Sequence, residues 1–195
     1  RGVGPGPGAG SALPPRSDGG ESGSTRRFRI PRALAVAGGG MFTGHGRLMR
    51  RPLEPYAELF RAKGIDWRME GETLTVRGRL EPGDYPLRGD ISSQFVTGLL
   101  FALPLLEGDS EILLTSPLES AGYVDMTLEM LRHFGIRIFP TEHGWTIPGG
   151  QAYRPADITV EADYSNAAFW LAAGALGDGL NVQGLRESST QGDRE

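Results

Sequence analysis

Three small polar residues, Ser92, Ser93 and Gln94, stand directly before an almost wholly apolar stretch that runs from Phe95 to Leu106. The apolar stretch predicts a buried helix, and the polar residues then fall at its N-terminus. Their hydroxyl and amide donors join backbone N–H groups that have no helical acceptor. Since the helix dipole is positive at this end, the cluster is suited to bind a phosphate group. By themselves, these residues could equally form a simple helix cap, with Ser92 capping and Gln94 solvated.

The pattern around this cluster repeats along the chain. In two successive copies, an opening helix is followed by a strand, an amphipathic helix that ends at a glycine, and a closing pair of strands. The glycine stops, Gly64 and Gly135, lie 71 positions apart, and the same offset carries Ser22 onto Ser93. A third copy begins at Asp163 with another apolar helix, after which a short strand is predicted. Such a period indicates an α/β fold built from repeated units.

The helices within each copy differ in character. The opening helices are apolar nearly all round, so we expect them to be buried, whereas the second helices are amphipathic and should lie outside. The N-termini of the buried helices are then expected to converge on one face. The strand predicted in the third copy covers residues 180–182, and the closing strands of the second copy are predicted over 136–139 and 145–147.

The N-terminal part of the chain fits this pattern least well. Residues 1–20 alternate glycine and proline without hydrophobic periodicity, so a flexible leader without packed structure is expected there. In the first opening helix, arginines alternate with apolar residues at Arg26, Arg29 and Arg32. Pro31 is expected to kink or break that helix, whereas Pro52 fits the first turn of the next one.

Composition excludes several classes of function. The net charge of -4 gives no general attraction for nucleic acid or an anionic membrane, so any anion site has to be local. The sequence has no cysteine, which excludes disulfides and thiolate ligands and fits a reducing, cytoplasmic compartment. His45, His133 and His143 show no ligand spacing, so no metal site is expected. The apolar stretches are too short to span a bilayer.

Three segments in order resemble successive signatures of the enolpyruvyl transferases, and the shikimate-type members match best. They are GESGSTRRF at 20–28, FTGHGRL at 42–48 with Arg51-Pro52 after it, and GDISSQF at 89–95. The resemblance runs from Glu21 to the C-terminus and implies an α/β (α+β) fold of βαβαββ units, an incomplete inside-out α/β barrel. Residues 21–158 would hold two units of a first domain, and residues 159–195 would begin a truncated second domain.

The resemblance also implies a reaction and its binding residues. The enolpyruvyl group of phosphoenolpyruvate would be transferred to the 5-hydroxyl of shikimate 3-phosphate, with release of phosphate, in aromatic amino-acid biosynthesis. No metal or organic cofactor, nucleic acid or membrane is implied, and the full-length form would be a cytoplasmic monomer. By motif, the shikimate 3-phosphate contacts are Ser92, Ser93, Gln94, Ser120 and Tyr123. The phosphoenolpyruvate contacts are Gly23, Arg47 and Gln94.

Each of these assignments has a chemical reason and a simpler alternative. Gly23 would let the backbone approach phosphoenolpyruvate closely, and the planar fork of Arg47 could hold two phosphate oxygens. Ser120 would donate to phosphate, while the Tyr123 ring would pack on the carbocycle. Without the resemblance, Ser120 would be a helix cap, Tyr123 an interface aromatic and Arg47 a solvated loop residue.

The groups that transfer protons cannot be assigned within the chain. The reaction requires proton delivery to the methylene carbon and proton removal from the attacking hydroxyl. The family's lysine-containing first loop has no counterpart in residues 1–20, and its later acidic and basic residues are expected beyond Glu195. The chain is therefore expected to be a fragment that is inactive alone. Two alternatives stay open: a UDP-N-acetylglucosamine enolpyruvyl transferase, although its usual loop cysteine is absent, and a non-catalytic module that binds a phosphorylated ligand.

Overall fold

The computed structural model describes residues 15–47, 51–177 and 179–194, which form two α/β units followed by a helix. The first unit comprises β1 (Arg16–Asp18), α1 (Gly23–Ala37), β2 (Gly39–Thr43), α2 (Glu54–Ala62), β3 (Asp66–Glu70) and β4 (Thr73–Arg77). The second unit comprises β5 (Gly83–Leu87), α3 (Ser93–Ala102), β6 (Ser110–Leu114), α4 (Ala121–His133), β7 (Phe139–Thr141) and β8 (Gly144–Ile147). The final helix is α5 (Tyr164–Leu176).

The two units have the same sheet topology. Their strand orders are β1-β2-β4-β3 and β5-β6-β8-β7. In each sheet the first strand pairs in parallel with the second, and the remaining pairs are antiparallel. Each unit is therefore a βαβαββ element, and the predicted α/β fold of repeated units is confirmed.

The first strand of each unit was not foreseen from local sequence patterns. The expected unstructured leader is wrong for β1, which pairs in parallel with residues 41–43 of β2; residues 1–14 lie outside the described part of the chain. Gly83, Asp84 and Pro86 are typical of a turn, so the sequence pattern does not predict a strand at β5. Proline is nevertheless compatible with a strand at the edge of a sheet, which is where β5 lies. Near the other edge, the backbone N–H of Ile136 donates to the Leu131 carbonyl and closes α4. For that reason β7 begins only at Phe139, rather than at residue 136.

Helix α1 is continuous despite its proline. The Ser22 hydroxyl accepts from the first turn, and Gly38 ends the helix in a left-handed conformation with φ 69°. Pro31 lacks the N–H that would bond to the Arg27 carbonyl, but the helix continues through this residue. That carbonyl instead lies against Gly98 of α3, where a Cβ would collide with it. The predicted break at Pro31 is therefore wrong, and the site is one of close contact between α1 and α3.

The arginines of α1 divide between the interior and the surface. Arg26 is only 2% exposed, and its guanidinium donates to the Arg51 carbonyl at 3.1 Å. Arg29 and Arg32 are exposed, and Arg29 donates to the Ser17 hydroxyl of β1. One arginine thus belongs to the packed part of the unit, while the other two lie on its outer face.

Helix α3 packs against both α1 and α4, and its apolar side chains are buried as predicted, except for the partly buried Phe101. From α2, the fully buried Tyr56 donates to the Phe95 carbonyl at 2.8 Å. Burial raises the pKa of Tyr56 well above its usual value. Helix α2 begins at Glu54, so Pro52 precedes the helix and is not in its first turn, contrary to the prediction.

The third copy departs most from the repeat. Helix α5 begins after Asp163, whose carboxylate accepts from Asn166 N, in agreement with the predicted start. Its burial was wrongly predicted, because Phe169, Trp170 and Leu176 are 79%, 64% and 92% exposed. Within the described residues 179–194 there is no strand at 180–182, because no neighbouring strand pairs with this stretch. The domain boundary at residue 158 stays a prediction.

Candidate functional site

The polar cluster at the start of α3 caps this helix. The Ser92 hydroxyl accepts from the Gln94 backbone N–H at 3.3 Å, so the capping role considered for Ser92 is confirmed. Ser93 is 6% exposed and is the first residue of the helix. The Phe95 backbone N–H donates to the Ser92 carbonyl at 3.2 Å, so what this terminus can offer an anion is the Ser93 hydroxyl together with the positive end of the helix dipole. Capping and ligand binding are thus compatible here.

A cavity of about 660 Å³ opens in front of this helix terminus. Its walls come from α1, α3 and α4, and all five residues predicted to bind shikimate 3-phosphate line it: Ser92, Ser93, Gln94, Ser120 and Tyr123. Ser24 adds a hydroxyl from the first turn of α1. The apolar part of the lining is Phe28, Ile91, Phe101, Met126 and Met130. The predicted convergence of helix N-termini on one face is confirmed for α1 and α3.

Ser120 has an unusual backbone at the entrance to α4. Among the described residues it is the only non-glycine with a positive φ, at 56°. It occupies the N-cap position of α4, but its side chain makes no capping hydrogen bond. An L-residue in this left-handed region is strained, and such strain concentrates at functional sites. The Ser120 hydroxyl is therefore not used for capping, while Tyr123, one turn further on, is 55% exposed.

One serine joins the two loops that carry these residues. The Ser116 hydroxyl accepts from the backbone N–H groups of Gly89 and Asp90 at 3.0 and 3.2 Å. It donates in turn to the Asp90 carboxylate at 2.8 Å. The loops approach so closely that a Cβ at Gly89 would lie 2.8 Å from the Pro117 carbonyl oxygen. Together with backbone hydrogen bonds from Glu119 to the Gly89 carbonyl and from Thr115 to the Leu87 carbonyl, both at 3.0 Å, Ser116 links the segments that precede α3 and α4.

The same carboxylate is also paired with an arginine. Arg88 donates to both oxygens of Asp90, at 3.0 and 2.7 Å. The hydrogen bonds from Arg88, and then from Ser116, hold the pKa of Asp90 well below its usual value. Asp90 is therefore ionised at neutral pH, and its hydrogen bonds with Arg88 and Ser116 stabilise the loop before α3.

The first unit contributes arginines to the edge of this site. Gly23, the first residue of α1, is buried beside Arg51, and a Cβ at Gly23 would lie 2.7 Å from Arg51 Nη1. Arg27 donates to the Gln94 side-chain oxygen at 2.7 Å. Burial, with the nearby positive charges, lowers the pKa of Arg26 and Arg27. A chain of net negative charge thus has a local concentration of guanidinium groups.

Arg47 is not part of this group. It lies in an exposed turn after β2 and does not line the cavity, whereas Arg51 lies against Gly23. Arg51 lies beside Gly23 and Arg27 donates to Gln94, and neither arginine was named as a binding residue from the sequence. Arg27 stands in the motif at residues 20–28, and Arg51 stands directly before Pro52. Residues 48–50, which connect Arg47 to Arg51, lie outside the described part of the chain. The spacing alone did not indicate which arginine reaches Gly23.

Two further properties concern metals and membranes. Within residues 15–47, 51–177 and 179–194, no group of three or more His, Cys, Asp or Glu side chains is placed to hold a metal ion. Over the same ranges, no helix has the length and apolar character needed to cross a bilayer.

The fold is that of an enolpyruvyl transferase, and comparison with known proteins identifies the family. Residues 6–195 match the family model of EPSP synthase (3-phosphoshikimate 1-carboxyvinyltransferase). The chain belongs to the EPSP synthase family.

Individual relatives agree with this assignment. The 3-phosphoshikimate 1-carboxyvinyltransferase of Clostridium kluyveri is 49% identical over 177 residues, which cover 89% of this chain and 42% of that protein. The protein of the same name from Clostridioides difficile is 44% identical over 178 residues, covering 90% and 41%. The solved EPSP synthase of Acinetobacter baumannii superposes with a TM-score of 0.67 at 27% identity, covering 83% of this chain and 36% of that structure. The chain thus spans about two fifths of the length of these relatives.

Proposed function

We propose that this chain supplies the shikimate 3-phosphate-binding part of an enzyme that transfers the enolpyruvyl group of phosphoenolpyruvate to the 5-hydroxyl of that substrate, with release of phosphate. The observation that carries the proposal is the convergence of Ser92, Ser93, Gln94, Ser120 and Tyr123 on one cavity of about 660 Å³. Membership of the EPSP synthase family supports the choice of reaction.

The chemistry of the cavity suits a phosphorylated carbocycle. Hydroxyl and amide donors at the α3 terminus can bind phosphate oxygens and ring hydroxyls without a large local charge. The Ser120 hydroxyl makes no capping bond, and the exposed Tyr123 ring offers a surface for the carbocycle. In this arrangement Ser93 and Ser120 bind the phosphate group and Tyr123 contacts the ring.

The phosphoenolpyruvate end of the site lies at the first unit. Gly23 leaves room for close backbone approach, and Gln94 stands between the two substrates. We assign the phosphate-binding arginine to Arg51 rather than Arg47, because Arg51 lies against Gly23. Its guanidinium can present two donors to one phosphate group. The proton-transfer groups stay unassigned.

Titration calorimetry with shikimate 3-phosphate tests the proposal. The chain is expected to bind it, and Ser93→Ala is expected to weaken binding by about tenfold, the effect of one lost hydrogen bond to a charged group. Ser188→Ala, outside the cavity in front of α3, is the control and should bind as the parent does. If Ser93→Ala lost helicity in proportion to affinity, Ser93 would be a structural residue instead.

A second assay separates enzyme from binding module. Phosphate release is measured after phosphoenolpyruvate is added to the shikimate 3-phosphate complex. Binding without release favours a non-catalytic module for the isolated chain, while release identifies a complete enzyme. A UDP-N-acetylglucosamine enolpyruvyl transferase would instead bind the UDP-sugar in preference to shikimate 3-phosphate.

We also propose that the full-length protein acts as a monomer in the cytoplasm. All five shikimate 3-phosphate contacts come from one chain, so a monomer suffices for this half of the site. The absence of cysteine fits the reducing cytoplasm, where the substrates would be encountered.

A further inference from the structure

Arg27 and Gln94 form a contact between the two units that fixes the orientation of an amide group. Arg27 Nη1 donates to Gln94 Oε1 at 2.7 Å. A guanidinium group has donors and no acceptor, so it can pair with the amide oxygen but not with the amide nitrogen. The Gln94 side chain is therefore held with its oxygen towards Arg27 and its nitrogen on the opposite side.

Arg27 is itself held by three other contacts. Its Nη2 donates to the Pro52 carbonyl at 3.0 Å, and the guanidinium carbon lies 4.6 Å from the centre of the Phe95 ring. The Arg27 backbone carbonyl lies against Gly98 of α3. Because the side chain would lose the first two contacts on turning away, and its backbone is packed against α3, Arg27 is a rigid support for the amide.

From this geometry, and resting on the proposed function, we propose that Arg27 is a positioning residue that makes Gln94 a hydrogen-bond donor to the ligand. The Gln94 amide nitrogen then adds a fixed donor to the Ser92 and Ser93 hydroxyls, which line the same edge of the cavity. Such an edge selects ligand atoms that accept hydrogen bonds, namely phosphate, carboxylate or hydroxyl oxygens. Arg27 adds positive charge from behind the amide without contacting the ligand.

Two substitutions separate orientation from charge. Arg27→Lys keeps the positive charge but loses the fork that serves Gln94 and the Pro52 carbonyl together. Gln94→Glu keeps a partner for Arg27 but presents a carboxylate oxygen in place of the amide nitrogen. We expect Arg27→Lys to weaken shikimate 3-phosphate binding by about tenfold, and Gln94→Glu to weaken it more, because the new carboxylate repels the anion.

A double-mutant cycle, read by titration calorimetry, tests whether Arg27 acts through Gln94. In the Gln94→Ala background, Arg27→Lys should have less than about a twofold effect, since the residue it positions is missing. Arg29→Lys, an exposed arginine of the same helix, is the matched control and should leave affinity unchanged. Equal weakening by Arg27→Lys in both backgrounds would overturn the proposal, because Arg27 would then act directly on the ligand. Melting temperatures of all variants check that the fold is retained.

A second measurement tests, without a ligand, whether Arg27 orders the Gln94 side-chain amide. Nitrogen-15 relaxation of the Gln94 side-chain amide is expected to show an ordered group in the parent chain and in Arg29→Lys, and a mobile one in Arg27→Lys. Equal mobility in all three proteins would overturn the positioning role. If the parent chain failed to bind shikimate 3-phosphate but showed this pattern, the proposed function would fail while the Arg27–Gln94 inference held.

Discussion

The two units share a strand order but place different chemistry at corresponding helix termini. In the first unit, α1 begins at Gly23, which lies beside Arg51 and one turn before Arg27. In the second unit, α3 begins at Ser93 and is followed by Gln94. The first unit thus contributes charge and the second contributes neutral donors. The repeat therefore fixes where a helix terminus points, while the residues at that terminus determine what it can bind.

We expect mutations at the contact between α1 and α3, where the two units meet, to lower the stability of the fold most. Gly98 of α3 is in contact with the Tyr56 hydroxyl and the Arg27 carbonyl, so any side chain there would separate the helices. We expect Gly98→Val to lower the free energy of unfolding by about 3 kcal/mol through overpacking. Urea denaturation measures this effect, and Gly192→Ala, at a position with open space, is the control. A loss below about 0.5 kcal/mol, within the range of neutral surface changes, would contradict the close packing described.

Ser116→Ala should disturb the second unit selectively. It removes the acceptor of two backbone N–H groups and the donor to Asp90, for an expected loss of about 1 to 2 kcal/mol. Affinity for shikimate 3-phosphate should fall about fivefold, because the α3 and α4 termini lose their side-chain link and keep only the backbone hydrogen bonds between their loops. Thr115→Ala, which removes a neighbouring exposed hydroxyl, is the control. Unchanged affinity in Ser116→Ala would show that the loops keep their separation without this serine.

Thr97→Val tests the contact between α3 and α4 at the wall of the cavity, which Thr97 and Thr127 both line. The Thr97 and Thr127 hydroxyls lie 3.1 Å apart in a buried position, and Thr127 also donates to the Tyr123 carbonyl. Replacing Thr97 by the similarly shaped valine should cost about 1 kcal/mol, measured by thermal unfolding. Thr97→Ser keeps the hydroxyl and should restore the hydrogen bond. Equal stability of Thr97→Val and the parent would show that this pair contributes nothing.

The smallest expected effect is a dependence of stability on pH. The pKa of Asp90 is lowered in the folded state by Arg88 and Ser116, so its ionised form stabilises the fold above the unfolded-state pKa of about 4. This contribution is lost as the pH falls through the folded-state pKa. The melting temperature of the parent should therefore exceed that of Asp90→Asn at pH 7, and the gap should shrink below about pH 4. A gap that stays constant down to pH 2 would contradict the assignment.

Much of the fold could be predicted because its signals are local. The glycine stops at Gly64 and Gly135 both have a positive φ, and they marked the repeat correctly. Strands β1 and β5 were missed because short edge strands with little apolar content resemble turns. The exposure of α5 could not be foreseen, since periodicity shows that a helix is apolar but not what covers it.

The candidate site was predictable only in part for a related reason. The residues from Ser92 to Gln94 are contiguous and precede an apolar helix, so sequence alone indicates a helix terminus. Arg51 is brought to Gly23 by tertiary packing across a loop, which spacing does not encode, so the sequence alone favoured Arg47 and the role of either arginine stays a prediction. The strained backbone of Ser120 likewise has no sequence signal, because serine rarely adopts a positive φ.

In the proposed function, the hydroxyl and amide donors of the second unit, and not another surface, bind shikimate 3-phosphate. The most direct test is nuclear magnetic resonance of the chain labelled with nitrogen-15, titrated with this compound. We expect saturable shifts of the backbone amides of Ser93, Gln94, Ser120 and Tyr123, with smaller changes at Gly23. Absence of shifts at millimolar ligand, or shifts confined to residues outside the cavity, would contradict it.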